Sequence, residues 1–398
     1  MVQVFVDKPL YMTSLTNSRI ESIDLLKGFV MVLMALDHTR DYFYHSAAFF
    51  DISNPAHATL PVYLTRIITH VCAPTFSFLA GVSAFMSGRH RTKANLSVIL
   101  IKRGLWLIFM ELTIIAFAWY LNVEFTNIDL AVIWVLGVSM IALAGLIHLP
   151  LNVIFMISIL LIAGHNLLDS VHLNTMWWGI LHEVYSTKIL GGNVTLTIVY
   201  PIIPWIAVMS LGYYFGQFYQ SSFKTEYRQK LFNLIGLGSI FLFIVIRWAN
   251  VYGDPVPWIH LRTTGRTFMS FFNVNKYPPS LCYLLFTLTF TFLFLANSEK
   301  WKGKLVDFFC VFGRVPFFYY ILHLYTIRIL GMVLAQLTGY GWKSAIQHDF
   351  EIDLKGFGFS LPVVYLIWIA VIVALYPVCK KFDRYKQSHR QQWWLSYL

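Results

Sequence analysis

Long apolar segments separated by short polar connections dominate the chain from residue 23 to residue 379. A helix that crosses a bilayer needs about 20 mostly apolar residues. This pattern predicts about ten transmembrane helices, at 23–44, 63–86, 98–120, 130–148, 152–168, 198–219, 231–251, 280–296, 305–337 and 361–379. The ninth contains Gly313 and Pro316, and we expect it to break there because proline removes a helix hydrogen-bond donor.

Basic residues are concentrated in the connections that follow the second, sixth and eighth predicted helices and in the C-terminal tail, whereas the short turn at 148–152 after the fourth lacks them. The positive-inside rule places these connections in the cytoplasm, together with both chain termini. We therefore expect an all-α polytopic membrane bundle with an even number of helices. The chain divides into an N-terminal cytoplasmic tail (1–20), one transmembrane domain (21–380) and a basic cytoplasmic tail (381–398).

Composition supports the membrane interpretation. Of the 398 residues, 58% are hydrophobic and only 12% are charged, whereas soluble proteins carry about 25% charged residues. The net charge of +11 is spread between apolar segments, so the sequence predicts membrane lipid as a partner and no nucleic acid. The four cysteines show no paired spacing, and neither a disulfide framework nor a zinc motif follows from them.

The first predicted helix ends in a polar cluster that includes Asp37, His38 and Asp41. Ionisable groups in a membrane segment are costly, so they are functional candidates. His38, Asp41 and His45 follow helical spacing, which would let Asp41 hold one tautomer of His38 and leave the other ring nitrogen as a general base. Two alternatives stay open: an interfacial cap, and a metal site formed by these three residues, although we predict no metal.

The outward ends of other segments supply candidates for substrate binding. Arg66 and His70 lie one helical turn apart, and Arg66 either binds an anionic group or pairs with Asp37 or Asp41. Lys276 begins a Lys-Tyr-Pro-Pro-Ser turn that fits acceptor binding.

Further candidates lie at the cytoplasmic ends and within the later helices. Lys102 and Arg103 would hold cofactor phosphates or simply set the topology. Trp205 either stacks on a planar ligand or anchors at the membrane interface. Arg314, Tyr319 and His323 fall inside the ninth helix, where they bind a ligand directly or bond one helix to another.

Several motifs together resemble a known family. Asp24-x-x-Lys27-Gly28 followed by His38 resembles the first helix of the transmembrane acyltransferase superfamily, with Lys27 in place of the usual Arg. The chain looks still more similar to bacterial relatives of heparan-alpha-glucosaminide N-acetyltransferase. The shared pieces are Leu-Asp-His-Thr-Arg-Asp-Tyr, Thr-His-Val-Cys-Ala-Pro, Phe-Leu-Ala-Gly, Tyr-Pro-Ile-Ile-Pro-Trp, Lys-Tyr-Pro-Pro-Ser and Phe-Gly-Arg-Val-Pro.

The resemblance implies an acyltransferase of the bacterial cytoplasmic (inner) membrane. It would move an acyl group, normally from acetyl-CoA in the cytoplasm, to a carbohydrate or other envelope acceptor on the outer side; a homodimer stays open. The animal lysosomal member of the family has Asn where His38 stands and its catalytic His further along, so His45 and His57 stay alternative bases.

These observations lead to one preferred assignment of roles. His38, Asp41 and Asp37 would form the catalytic group, and Lys27, Lys102, Arg103 and Arg314 would hold acyl-CoA. Arg66, Arg314 or Tyr319 would stabilise the oxyanion. Arg66, His70, Trp205, Lys276, Tyr319 and His323 would contact substrate. A proton-coupled transporter is the alternative, although the sequence shows no matched halves of the kind that transporters often contain.

Overall fold

The computed structural model describes residues 20–45, 55, 58–347, 356–389 and 391–397. Residues 1–19 of the predicted N-terminal tail and His57 lie outside the described residues. The described chain is mainly helical, as expected. Its helices are α1 (Glu21–Phe43), α2 (Leu60–Thr69), α3 (Cys72–Gly88), α4 (Lys93–Met110), α5 (Ala116–Tyr120), α6 (Val132–Leu146), α7 (Leu151–Gly164), α8 (Met176–Leu181), α9 (Ile203–Phe215), α10 (Thr225–Ala249), α11 (Thr264–Phe272), α12 (Leu281–Asn297), α13 (Lys304–Arg314), α14 (Pro316–Leu337), α15 (Ser344–Gln347) and α16 (Leu361–Ser388).

Six helical segments of the described chain are long and apolar enough to cross a membrane, and α6 is a shorter apolar helix. The predicted number of about ten is therefore not confirmed. The long segments are Leu60–Gly88, Leu151–Leu168, Thr225–Ala249, Leu281–Lys300, Pro316–Leu337 and Leu361–Ser388. Helix α1 is not among these segments and carries six charged residues, and most of its side chains are buried inside the protein.

A small sheet interrupts the helical pattern, so the all-α prediction was incomplete. Strand β1 (Asn127–Leu130) pairs in parallel with β3 (Val194–Ile198), which pairs antiparallel with β2 (Tyr185–Ile189). Alternate residues of β3 are buried, as expected for a strand with one face on the core. The sequence prediction had assigned most of this region to an outer loop.

Helices α1 and α13 cross at a pair of glycines. A Cβ atom added to Gly28 would lie 1.8 Å from the carbonyl oxygen of Phe309, and one added to Gly313 would lie 1.8 Å from that of Asp24. The backbones can meet this closely only because both positions lack a side chain. The crossing brings the neighbours of these glycines, Lys27 and Arg314, to the same cavity.

The predicted break in the ninth apolar segment is confirmed. Helix α13 ends at Arg314 and α14 begins at Pro316, with Val315 between them outside helical geometry (φ −130°, ψ 49°). Proline suits the first turn of a helix, where its missing N–H is not needed. The break separates Arg314, at one end of the bundle, from His323, which lies inside α14.

Candidate active site

Asp37 is the centre of a buried ionic cluster near the C-terminal end of α1. Arg66 Nη1 lies 3.1 Å from Asp37 Oδ1, and Lys276 Nζ lies 3.7 Å from Asp37 Oδ2. The hydroxyl of Thr69 donates to Asp37 Oδ1 at 2.6 Å, and Arg40 also donates to this oxygen. The cluster therefore joins α1, α2 and the loop before α12. Of the two roles predicted for Arg66, the structure contains the ion pair with Asp37.

His38 and His323 form a hydrogen-bonded pair on α1 and α14. Nδ1 of His38 lies 2.8 Å from Nε2 of His323, and Nδ1 of His323 lies 2.9 Å from the carbonyl oxygen of Tyr319. Because a carbonyl only accepts, His323 Nδ1 must donate, which leaves Nε2 of a neutral His323 as an acceptor. His38 Nδ1 then donates to it, so a neutral His38 keeps a lone pair on Nε2.

The predicted hydrogen bond between Asp41 and His38 is not present in this arrangement of the described residues. Asp41 Oδ1 accepts a hydrogen bond of 2.8 Å from Arg40, while His323 takes the position beside His38 Nδ1. His45 does not extend the helical row either, because α1 ends at Phe43 and the His45 ring bonds to the carbonyl of Phe359. A guanidinium held between two carboxylates outcompetes a neutral ring for them.

His38 lines a small cavity of about 200 Å³, which we call the central cavity. Its wall includes Asp37, Asp41, Trp119, Tyr200 and Tyr320. The ring of Trp119 is 5.0 Å from that of His38, centroid to centroid. Nε1 of Trp119 is buried and has no hydrogen-bond partner among the described residues. The cavity therefore has a nitrogen base in its wall, and the Trp119 side chain that also lines it carries an N–H that no described group uses.

A larger cavity of about 360 Å³, the basic cavity, lies toward the N-terminal end of α1. Four cations contribute to its wall, namely Lys27, Arg103, Arg314 and Lys386, and most of the remaining wall is apolar. Arg314 also pairs with the buried Asp383 at 2.8 Å. The basic cavity and the central cavity share Met34, Val132 and Tyr320 as wall residues, so they are neighbours separated by these side chains.

A third cavity of about 610 Å³, the outer cavity, lies on the other side of the central cavity. The two share Lys276 and Tyr277, and the outer cavity also has Arg66 and His70 in its wall. Tyr277 belongs to a connection between membrane helices. Burial raises the pKa of its hydroxyl, but Lys276 and Arg66 outweigh burial and hold this pKa below its usual value.

Most of the predicted site residues line these cavities, and four do not: Lys102, Trp205, Tyr319 and His323, the last of which contacts the central cavity only through its hydrogen bond to His38. Lys102 is exposed and is not in the wall of the basic cavity, although its neighbour Arg103 is. Trp205 is fully buried in the core, so it neither anchors at an interface nor lines any of the three cavities. Tyr319 is buried against Phe312 outside the three walls, and its carbonyl instead orients His323.

The preferred assignment from the sequence omitted several residues of the walls, among them Trp119, Tyr277, Tyr320 and Lys386. Tyr320 follows Tyr319 directly, and helical spacing alone cannot tell which of two adjacent tyrosines faces a cavity. The described residues contain no group of three His, Cys, Asp or Glu side chains that could hold a metal ion. The suggested metal site at His38, Asp41 and His45 therefore does not form in this geometry.

The arrangement defines a membrane protein in which a basic cavity, a histidine pair and an outer cavity follow one another. The family model for heparan-alpha-glucosaminide N-acetyltransferase, catalytic, matches residues 19–246, more than half of the chain. The protein therefore belongs to this family, which makes it a multi-pass membrane acetyltransferase, as its motifs indicated. No curated protein matches the chain.

Proposed function

We propose that the protein moves an acetyl group from acetyl-CoA, bound in the basic cavity, to an acceptor in the outer cavity, with His38 as the base. The observation that carries this proposal is the order of the cavities. The basic and outer cavities each share wall residues with the central cavity, whose wall contains His38, and His38 is hydrogen-bonded to His323. This order would let a donor and an acceptor reach the same base from opposite sides.

The basic cavity suits coenzyme A in both charge and length. Lys27, Arg103 and Arg314 present cations that would hold its phosphates. His38 follows Lys27 by eleven positions on α1, which corresponds to roughly 16 Å along the helix. An extended phosphopantetheine arm covers a comparable distance, so phosphates at the basic end would place the thioester beside Met34 and Tyr320.

The free lone pair of His38 provides the chemistry. Nε2 would take the proton from an acceptor hydroxyl or amine as its oxygen or nitrogen attacks the thioester carbonyl. The tetrahedral intermediate then expels the coenzyme A thiolate, which receives that proton from His38. His323 keeps Nδ1 of His38 hydrogen-bonded throughout. A two-step route, in which Nε2 itself carries the acetyl group, would use the same atom.

The negative charge on the intermediate needs a donor in the central cavity. Of the residues predicted for this role, Arg314 lies at the basic cavity and Tyr319 outside all three walls, whereas Arg66 lines the outer cavity. Trp119 fits better, because its buried Nε1 has no partner among the described residues and its ring faces His38. One such donor is worth about 3 kcal/mol in known enzymes.

In the cell, we place the enzyme in the bacterial cytoplasmic membrane with both termini in the cytoplasm. Acetyl-CoA would then enter from the cytoplasmic side, since the basic tail helix α16 contributes Lys386 to the basic cavity. The outer cavity would open toward an envelope acceptor, such as a carbohydrate hydroxyl or amine.

The experiment compares acetyl-CoA binding and coenzyme A release by purified protein in detergent for the wild type, His38→Ala and His260→Ala. His260 is an exposed histidine outside the three cavity walls and serves as the control. We expect all three to bind acetyl-CoA and only His38→Ala to lose coenzyme A release. A wild-type protein that binds no acetyl-CoA, or a His38→Ala protein with full turnover, would contradict the proposal.

A further inference from the structure

All the charged side chains in the described wall of the outer cavity are positive. Arg66, Arg247 and Lys276 contribute cationic side chains, and no Asp or Glu is among the described residues of its wall. The remaining polar wall residues include His70, Asn273 and Asn275, which are uncharged or weakly basic. A cavity lined by one sign of charge, within walls of low dielectric, attracts ligands of the opposite sign.

Arg66 and Lys276 are only partly neutralised by the protein. Asp37 is the carboxylate that both approach, at 3.1 Å and 3.7 Å, and it also accepts from Arg40. Asp41 pairs with Arg40. Three cations thus meet two carboxylates in the described cluster, which leaves one positive charge in excess. An uncompensated charge in a buried site is costly, so an additional anion there would be favourable.

The unused donors of this pair belong to Arg66 and Lys276. The described contacts of the Arg66 guanidinium all use Nη1, so among the described residues its Nε and Nη2 have no partner. Lys276 Nζ is beyond hydrogen-bond distance from Asp37, and its contacts among the described residues are an attraction to that carboxylate and to the Tyr277 ring. A planar guanidinium beside an ammonium is a common arrangement for binding carboxylate or phosphate.

Arg247 differs from these two because its donors are already used. It donates to the carbonyl oxygens of Phe271, Val256 and Asn273 at 2.8–2.9 Å, and it lies 3.5 Å from Asp254. Its role is to fix the loop that forms the outer wall. Lys276 is fixed in turn, because Asp254 accepts hydrogen bonds from the backbone N–H of Asn275 and the hydroxyl of Ser280.

We infer that Arg66 and Lys276 form an oxyanion subsite, and that the acceptor carries a carboxylate or phosphate group which binds there. The hydroxyl or amine that is acetylated would extend from this group past Tyr277 to His38. The inference rests on the proposed function for the identity of the ligand as an acceptor, but anion binding itself can be measured without any transfer reaction.

The test uses isothermal titration calorimetry in detergent, with coenzyme A at saturation so that the basic cavity is filled. The probes are glucose, glucuronate and glucose 6-phosphate, which share a sugar skeleton and differ in charge. We expect glucuronate or glucose 6-phosphate, or both, to bind at least tenfold more tightly than glucose. A preference for one of the two distinguishes a carboxylate subsite from a phosphate subsite.

Three variants test whether the anion binds at Lys276. Lys276→Met keeps the length of the side chain and removes its charge, and we expect it to weaken anion binding at least tenfold. Lys276→Arg should retain binding, because it keeps the charge. Arg262→Gln removes an exposed cation of the same outer region and should change nothing. Monodispersity and acetyl-CoA binding of each variant check that it is folded.

Two results would overturn the inference: equal binding of glucose and both anions, or anion binding that is unchanged in Lys276→Met. Failure of the proposed function has a different signature, which is absence of acetyl-CoA binding in the wild type. Intact acetyl-CoA binding without anion selectivity therefore rejects the oxyanion subsite alone.

Discussion

Nδ1 of His38 lies 2.8 Å from Nε2 of His323, a contact between residues 285 positions apart in the chain. The two rings are almost parallel, with 7° between their planes. Since the carbonyl of Tyr319 fixes the proton on His323 Nδ1, the pair determines which nitrogen of His38 is basic. His323 thus has the position of the orienting group in a nucleophile–base–orienter arrangement, with an imidazole in place of a carboxylate.

Replacing His323 tests its role as a positioning residue. His323→Gln removes the ring that fixes the tautomer of His38, and we expect the turnover number to fall by about 100-fold, the lower range for loss of general base catalysis. The KM for acetyl-CoA should stay within about twofold, because His323 is not in the wall of the basic cavity. Steady-state kinetics of both parameters measure this.

A purely structural role for His323 would give another result. The KM and the melting temperature would then change together with the turnover number, and His38→Ala would retain more activity than His323→Gln. If His323 acts by orienting His38, His38→Ala should be at least as inactive as His323→Gln, and the double variant should be no worse than His38→Ala, because residues that act as a unit are not additive.

The sequence predicted the local features of this site and missed the long-range ones. The apolar period and the charges of α1 identified Asp37 and His38, and Gly313 with Pro316 identified the break before α14. No local pattern could show that His323 lies beside His38, because the contact depends on how α14 packs on α1. Helical spacing favoured Asp41 as the partner of His38, but it could not show that Arg40 is buried between Asp37 and Asp41.

The small sheet was missed for a related reason. Strand β3 is five residues long and lies in a region without a long apolar run, so a search for membrane helices passes over it. The prediction of α1 as a membrane span is not confirmed, since α1 is not among the six long apolar helical segments of the described chain. Its apolar length fits a span, and the buried Asp37 and Arg40 are tolerated because they lie inside the protein, where Arg40, Arg66 and Lys276 surround Asp37.

The basic cavity predicts a difference between two adjacent basic residues. Arg103→Gln should raise the Kd for acetyl-CoA about tenfold, because it removes one cation from the wall, whereas Lys102→Gln should leave it unchanged. Acetylpantetheine, which lacks the nucleotide phosphates, serves as the second ligand. Its affinity should be the same in the wild type and in Arg103→Gln, as calorimetry can determine.

Equal effects of Arg103→Gln and Lys102→Gln would contradict this placement of the phosphates and would return both residues to a role in membrane topology. A loss of acetylpantetheine affinity in Arg103→Gln would show that the residue acts through the structure of the cavity and not through phosphate charge.

The crossing of α1 and α13 predicts a large effect from one methyl group. In Gly28→Ala the new Cβ would overlap the carbonyl oxygen of Phe309, so the two helices must separate. Overpacking of this kind costs about 1–3 kcal/mol or more, and we expect a lower melting temperature in detergent. Gly238→Ala in α10 is the control, because a Cβ there meets no atom within 4 Å. Equal melting temperatures for the two variants would show that the crossing is not tight.

A substitution in the wall between the basic and central cavities should reduce acetyl transfer without preventing acetyl-CoA binding. Met34 belongs to both walls and lies between Lys27 and His38 on α1. Met34→Trp should block the passage of the thioester, so that acetyl-CoA still binds through its phosphates while coenzyme A release falls by at least tenfold. Met34→Leu nearly conserves volume and should retain activity. Calorimetry of acetyl-CoA binding and a thiol assay of coenzyme A release measure the two quantities on the same preparation.

If Met34→Trp turned over at the wild-type rate, the acetyl group would have to reach its acceptor without passing Met34, and the order of cavities would no longer explain the transfer.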